Sequence, residues 1–250
     1  MWSDLPSPVI IAHRGNKQRA PENTLAAFRS AAEGGADAVE FDVKLTVDGH
    51  VVVIHDATVD RTTDGRGRVS RLPLAAVRDL DAGAWFSDQF RGERVPTLEE
   101  VFETVGSHLH MNVELTNYST PLDNLVGKVV ECVRKYGLQD RVLFSSFFAC
   151  NLGCLKRGMP EAACGLLTWA GGPGWLGRTS GFRSPRYQAL HPCLSDVTAG
   201  LVSRVHAAGK RLNVWTVNLE ADLKRVIGLG VDGIFTDDPG LALRLLGRRT

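Results

Sequence analysis

The chain has 250 residues, 44% of them hydrophobic and 23% charged, an ordinary globular make-up with enough length for one large core. Lys+Arg 29 against Asp+Glu 28 leaves a net charge of +1. No basic stripe with interleaved aromatics is visible, so nucleic-acid binding is not expected, and no apolar run is long enough for stable membrane insertion.

The first predicted strand is Val9–Ala12, ending in His13-Arg14-Gly15. Pro21-Glu22-Asn23-Thr24 leads into a helical pattern, Leu25, Phe28, Ala31 and Ala32, stopped by Gly34-Gly35. Ala38–Val43 reads as a second strand, Asp48-Gly49 as a tight hairpin turn, and Val51–Ile54 as the returning run. Residues 57–95 are polar and turn-rich, an insertion with one short helix near Leu74–Leu80. Thr97 and Glu100 form the sequence pattern of a capping box. Further strands are expected at His110–Leu115, Val142–Ser145, Ala163–Thr168, Ala189–His191, Leu212–Val217 and Val231–Phe235. Helical patterns follow most of them: Leu122–Tyr136, Cys150–Arg157, Thr198–Ala208, Glu220–Leu229 and a last one to about Leu246. The connection after Thr168, with Gly171-Gly172-Pro173-Gly174, is the least helix-like. Arg244 to Arg249 reads as a solvated helix end.

Eight apolar runs alternating with helical patterns predict an eight-stranded α/β barrel in a single domain, residues 1–250. The rival, a doubly wound open sheet binding a dinucleotide, would carry a glycine fingerprint after its first strand; His13-Arg14-Gly15-Asn16 is not one. The five cysteines, Cys132, Cys150, Cys154, Cys164 and Cys193, form neither a CxxC pair nor an even framework. They point to a reducing, cytoplasmic compartment. The start, Met1 to Pro6, shows no signal-peptide pattern.

Glu40 and Asp42 lie two apart in an apolar run, so they share one side of a strand. Two carboxylates there repel each other and are costly to desolvate. Either a divalent cation removes both costs, or the pair is a salt-bridged strand end. The hairpin carries His55-Asp56 back towards them. In a barrel, His13, Arg14, Glu40, Asp42 and Glu114 all converge on the C-terminal rim. Three carboxylates without a thiolate set or a triple-histidine pattern suit Mg²⁺ or Ca²⁺ rather than zinc. Arg14 can fork onto phosphate, or partner the carboxylates instead. His13 and His55 suit a proton-relay pair. Together these residues read as phosphoryl transfer on a small phosphodiester.

At this point a family resemblance is visible. It is carried by His13-Arg14-Gly15, Pro21-Glu22-Asn23-Thr24, Glu40-Phe41-Asp42-Val43, Thr46-Val47-Asp48-Gly49, His55-Asp56 and Asp60-Arg61-Thr62-Thr63. It continues through Pro96-Thr97-Leu98-Glu99-Glu100, Val113-Glu114-Leu115, Val214-Trp215-Thr216-Val217-Asn218 and Thr236-Asp237-Asp238-Pro239. In order and spacing the chain resembles the glycerophosphodiester phosphodiesterases. The resemblance implies a TIM barrel in which Glu40, Asp42 and Glu114 hold one divalent cation, His13 and His55 are the acid–base pair, and Arg14 sits on phosphate. It implies small glycerophosphodiesters as substrates, cleaved to sn-glycerol 3-phosphate and an alcohol through a cyclic phosphate.

Many family members read Glu-x-Lys where this chain has Glu114-Leu115-Thr116, so a neutral Thr116 stands at a substrate-side position. Asn23 is read as a cap or as shaping the site, and Trp215 as a pocket wall or core. Phe147, Phe148 and Trp169 divide in the same way between pocket and packing, and Trp175 and Phe182 are candidates to cover the mouth. Asp237 and Asp238 are read chiefly as organising the last helix. Two alternatives stand beside the leading one: a related barrel phosphodiesterase acting on lysophospholipid or inositol-type head groups, and a non-catalytic phosphodiester-binding barrel.

Overall fold

A strand turns successive side chains to opposite faces, so each strand of a closed barrel sends every second residue inward. The computed structural model, which describes residues 2–248, follows that rule. Its strands are β1 (Val9–His13), β2 (Ala38–Leu45), β3 (Val51–Val53), β4 (His110–Leu115) and β5 (Val142–Ser146), then β6 (Ala163–Thr168), β7 (Ala189–Pro192), β8 (Arg211–Val214) and β9 (Gly233–Thr236). All except β3 pair in parallel, and β1 bonds to both β2 and β9, which closes an eight-stranded barrel. The helices are α1 (Leu25–Glu33), α2 (Leu74–Arg78), α3 (Leu98–Val105), α4 (Leu125–Tyr136), α5 (Ala149–Gly158), α6 (Trp175–Thr179), α7 (Ala199–Ala207), α8 (Glu220–Gly228) and α9 (Pro239–Leu245). This is the architecture of a TIM (β/α)8 barrel.

Local chemistry accounts for the starts of α1, α3, α7 and α9. Thr24 and Thr198 cap α1 and α7 through their hydroxyls, and Thr97 with Glu100 closes the capping box of α3. Asp238 accepts from the backbone N–H of Leu241, with Pro239 opening α9. Helix α4 begins at Leu125, three residues later than its apolar pattern suggests. Asp123 takes hydrogen bonds from Asn117 and Thr120 and from the Leu125 amide, folding the preceding residues into a turn that leaves Leu122 fully exposed. The connection after β6 is broken into short pieces around α6, and Phe182 there is fully buried in the core rather than covering the mouth. Of the arginine-rich end, Arg244 closes α9 and Arg248 pairs with Asp37, while Arg249 lies outside the described residues.

The main core lies between the barrel and its helices, built from residues such as Ile10, Phe28, Phe41, Met111, Phe144 and Leu190. Inside the barrel the content changes with height. At the N-terminal end Val9, Ile11, Ala38, Leu143 and Phe235 pack together with Trp2. Above them the inward positions turn polar: Asn112, Ser145, His191 and Asn213 are all buried. Their bulk needs room. A Cβ on Gly165 would lie 2.3 Å from His191 Nε2, and one on Gly233 would lie 2.5 Å from Asn213 Oδ1, so both positions are glycine for close approach. Burial pushes His191 down to about 3 and keeps it neutral.

The β2–β3 connection is a five-residue loop rather than a tight two-residue turn, with β3 pairing antiparallel to β2 from Leu45 and Val51. Gly49 takes φ 81° there. Asp48 accepts from Thr46 and from the Leu74 amide, which ties the loop to α2. Strand β3 faces two ways. Val51 and Val53 enter the main core, whereas Val52 and Ile54 enter a separate small cluster with Val59, Val69, Val77, Ala82 and Val95. That second cluster underlies the whole β3–α3 connection.

Candidate active site

Parallel register assembles the carboxylates. Glu40 faces Asn112 and Asp42 faces Glu114 across the β2–β4 pair, and His13 faces Glu40 across β1–β2. Glu40, Asp42 and Glu114 each offer an oxygen within 4.8 Å of the others. Glu40 and Asp42 are buried. Burial, then the neighbouring charges, raises Glu40 well above the usual carboxylate range and Glu114 to about 8. Burial acts against Asp42 as well, but Arg14, His55 and Asn23 hold its carboxyl down. Three such groups cannot all ionise together without added positive charge. An all-oxygen set of carboxylates fits a hard divalent cation.

Each histidine has an aspartate behind it. His13 Nδ1 lies 2.7 Å from Asp237 Oδ1, and Asp237 Oδ2 accepts from Asn218 at 2.8 Å and lies 3.3 Å from Lys17 Nζ. Burial alone would raise the Asp237 carboxyl; His13 and Lys17 hold it instead at about 2. His55 Nδ1 lies 2.6 Å from Asp56 Oδ1, and Arg61 Nε donates to the other Asp56 oxygen at 2.7 Å. A carboxylate only accepts, so in both neutral rings Nδ1 carries the proton and Nε2 is left as acceptor. The two rings differ in setting: the His13 side chain is 17% exposed and that of His55 42%. Sequence reasoning read Asp237 chiefly as part of a helix start. The structure divides the two aspartates, with Asp238 capping α9 and Asp237 reaching His13.

Arg14 takes a left-handed backbone (φ 58°), with its own N–H donating to Glu40 Oε2. Its guanidinium bonds to Glu22 at 2.8 Å and lies 3.3 Å from Asp42 Oδ2. Glu22 is gripped on its other side by both terminal nitrogens of Arg61. The charge that the sequence reading directed at phosphate is thus shared between two carboxylates. Asn23, also left-handed (φ 57°), donates to Asp42 Oδ2 at 3.0 Å and so steadies a carboxylate of the cluster. Thr116 gives its one hydroxyl proton to Val43 O and accepts from the buried Lys44 ammonium at 2.9 Å. Lys44 was not singled out from the sequence. Its signal was the same two-residue spacing, Glu40, Asp42, Lys44, carried one step further along the strand.

A cavity of about 140 Å³ is lined by His13, Arg14, Glu40, His55 and Glu114 on one side and by Phe147, Leu167, Trp215 and Phe235 on the other. Trp215 is fixed by its indole N–H to His191 O at 2.9 Å. Phe147 meets it edge-on at 5.6 Å and stacks on Trp169 at 4.7 Å. Phe148 packs on Tyr118 instead, and Tyr118 donates to Glu114.

Known proteins share this arrangement of chain. A glycerophosphodiester phosphodiesterase of Caldanaerobacter subterraneus is 41% identical over 241 residues, covering 95% of this chain and 97% of that protein. An Oleispira antarctica phosphodiesterase, solved with the product sn-glycerol-3-phosphate, superposes with a TM-score of 0.90 at 34% identity, covering 98% of each chain. A glycerophosphodiester phosphodiesterase of Agrobacterium tumefaciens gives a TM-score of 0.81 at 29% identity, covering 94% of this chain and 98% of that one. The family model for glycerophosphoryl diester phosphodiesterases matches residues 13–241. That span opens on the first of the two rim histidines and runs into the final helix, so the chain belongs to the glycerophosphoryl diester phosphodiesterase family.

Proposed function

We propose that the protein hydrolyses glycerophosphodiesters to sn-glycerol 3-phosphate and an alcohol, using one divalent cation, Mg²⁺ or Ca²⁺, and histidine acid–base catalysis. The observation that carries this reading is two aspartate-backed imidazoles in one cavity with a cluster of three carboxylates. The product bound to the Oleispira antarctica phosphodiesterase supports the substrate class. Glu40, Asp42 and Glu114 would hold the cation, which when bound supplies Lewis-acid activation and offsets charge at phosphorus. The protein's own residues do the rest. One histidine, through its free Nε2, takes the proton of the glycerol 2-hydroxyl as that oxygen attacks phosphorus. The P–O bond to the alcohol breaks, and the other histidine protonates that oxygen. Water then opens the cyclic phosphate, with the pair exchanging roles. Trp215, beside Phe147, walls the apolar side of the substrate, Arg14 faces the phosphate, and Asn23 and Thr116 shape the edges.

The same reading takes the chain as one catalytic domain with residues 57–95 inserted. It places the protein in the cytoplasm, supported by five free thiols. A second reading, a lysophospholipid substrate, is favoured by one observation: Trp169, Trp175 and Leu176 are exposed at the barrel end of β6 and just beyond it. Among the described residues no helix is long and apolar enough to cross a membrane. The test is release of sn-glycerol 3-phosphate from glycerophosphocholine with Mg²⁺ or Ca²⁺ added, abolished by chelator. Full turnover by metal-free enzyme in chelator would overturn the cation's part. Turnover of lysophosphatidylcholine alone would replace the first reading with the second.

A further inference from the structure

The inward file of β2 continues past the triad. Glu40, Asp42 and Lys44 occupy successive inward positions; Glu114 stands beside Asp42 in the β2–β4 register, and just past the end of that pairing Thr116 bonds to Lys44. Lys44 and Thr116 therefore form the next layer towards the open end of the barrel. A ligand reaching a cation held by the triad must enter from that side, because the opposite end is packed with Val9, Ile11, Leu143 and Phe235. Lys44 is 8% exposed, and its ammonium donates to Thr116 O at 2.7 Å and to Thr116 Oγ1 at 2.9 Å. Both acceptors are neutral, and an ammonium has three protons. Among the described residues no carboxylate lies within 4 Å of this nitrogen.

The surroundings make that ammonium unusual. His55 lines the triad cavity and also a second cleft on its far side, walled by Lys44, Asp56, Thr116 and Tyr118. Of the cationic side chains lining these two clefts, Arg14 is already paired with Glu22 and Asp42, which leaves Lys44 as the one without a carboxylate partner. Asp42, Glu114, Asp56 and Asp123 favour its charge from beyond contact distance, but its hydrogen bonds go to neutral acceptors alone, so a directly bonded anion would offset the cost of burying it.

Resting on the function proposed above, we propose that Lys44 donates a direct hydrogen bond to the substrate's phosphoryl group, alongside Arg14, with Thr116 as the bracket that aims it. The third ammonium proton donates to a non-bridging phosphoryl oxygen while Thr116 keeps the other two. In this arrangement Thr116 does not touch phosphate; its hydroxyl proton stays on Val43 O.

The test compares wild type, Lys44→Gln and the double variant Lys44→Gln/Thr116→Lys. Glutamine keeps a donor for Thr116 and removes the charge. The double variant returns the charge from the neighbouring strand, and it keeps the test decisive if the single variant folds poorly. Calorimetry with saturating Mg²⁺ measures binding of sn-glycerol 3-phosphate, inorganic phosphate and uncharged glycerol; a separate titration measures Mg²⁺ alone. Lys44→Gln is expected to weaken both phosphates roughly 10- to 100-fold, the scale of one hydrogen bond from a charged group. Glycerol binding and Mg²⁺ affinity should hold, KM for glycerophosphocholine should rise in step, and the double variant should recover most of the loss. Unchanged phosphate binding in Lys44→Gln overturns the proposal, as does a loss fully matched by weaker Mg²⁺ binding. If wild type cleaves no glycerophosphodiester, the proposed function fails, yet inorganic phosphate binding and its dependence on Lys44 still decide this assignment.

Discussion

Replacing Asp237 by asparagine exchanges one oxygen for an NH₂, removes the charge and leaves the shape, and the structure says which way the new amide must turn. Asn218 Oδ1 accepts from the Asp237 backbone N–H at 2.9 Å, so its Nδ2 must face Asp237 Oδ2, where Lys17 also points. The carbonyl of an asparagine at 237 would be held by those two donors, turning its NH₂ towards His13 Nδ1. The imidazole then has to accept at Nδ1 and carry its proton on Nε2, the wrong tautomer for a base working through Nε2. Flipping the amide restores the tautomer but forfeits about 1 kcal/mol at Asn218 and about 2 kcal/mol at Lys17. About 3 kcal/mol leaves roughly one molecule in 10² productive. The expected result for Asp237→Asn is therefore a fall in kcat of about 10²-fold, with KM and Mg²⁺ affinity little changed. Steady-state kinetics on glycerophosphocholine, with circular dichroism and a metal titration as controls, measures it. Asp237→Ala, which lets water serve either tautomer, should cost less than the isosteric change. A kcat for Asp237→Asn within threefold of wild type would refute the reasoning, as would a loss confined to KM.

Other consequences follow from the same network. His13→Ala and His55→Ala should each reduce kcat by roughly 10²–10⁴-fold at saturating metal, and near wild-type turnover removes that residue from the chemistry. Glu114 is held at about 8, so without metal it carries a proton at pH 7 and must shed it on binding the cation; burial and the neighbouring carboxylates push Glu40 in the same direction. Calorimetry in buffers of different ionisation enthalpy should show proton release that shrinks as pH rises beyond 8; heat independent of buffer contradicts this. Glu22 is opposed by burial, but Arg61 and Arg14 hold it at about 2 against an ordinary 4.5. A depressed carboxylate stabilises fully above the unfolded value and loses that contribution as pH falls towards 2, a term of about 3 kcal/mol. Denaturant melts of Glu22→Gln should trail wild type most at pH 6–7 and converge with it between pH 4.5 and 2; a gap constant with pH would count against it.

The sequence carried the barrel because its strands are short apolar runs separated by capped helices, and a capping box such as Thr97–Glu100 is purely local. It carried the Glu40–Asp42 pair because an i, i+2 spacing states which side chains share a face, whereas Glu114 joins that pair through the β2–β4 register. What it could not carry was lateral register. Lys44 and Thr116 meet 72 residues apart, and Asp237 meets His13 across 224. Neither pairing has a spacing to read. Asp237 and Asp238 look equivalent before Pro239; only the turn of the chain after β9 sends one to the helix cap and the other to the imidazole. Arg14 was legible as a rim cation, but its distribution between Glu22 and Asp42 depends on Arg61, which arrives on a different loop.

The small cluster beneath the β3–α3 connection divides the molecule's cooperativity. Val52, Ile54 and Val59 bury themselves with Val69, Val77, Ala82 and Val95, apart from the layer between barrel and helices. His55, Asp56 and Arg61 all stand on that connection, while the triad and His13 stand on the barrel itself. A modest cluster opens at lower free energy than a large core. Amides from 57 to 95 should then exchange with solvent before those of β2 and β4. On heating, turnover should be lost while the barrel's far-UV signal is still intact. Cleavage by an added protease in this span should likewise silence the enzyme without dissolving its fold, which would make inactivation and unfolding two separate events.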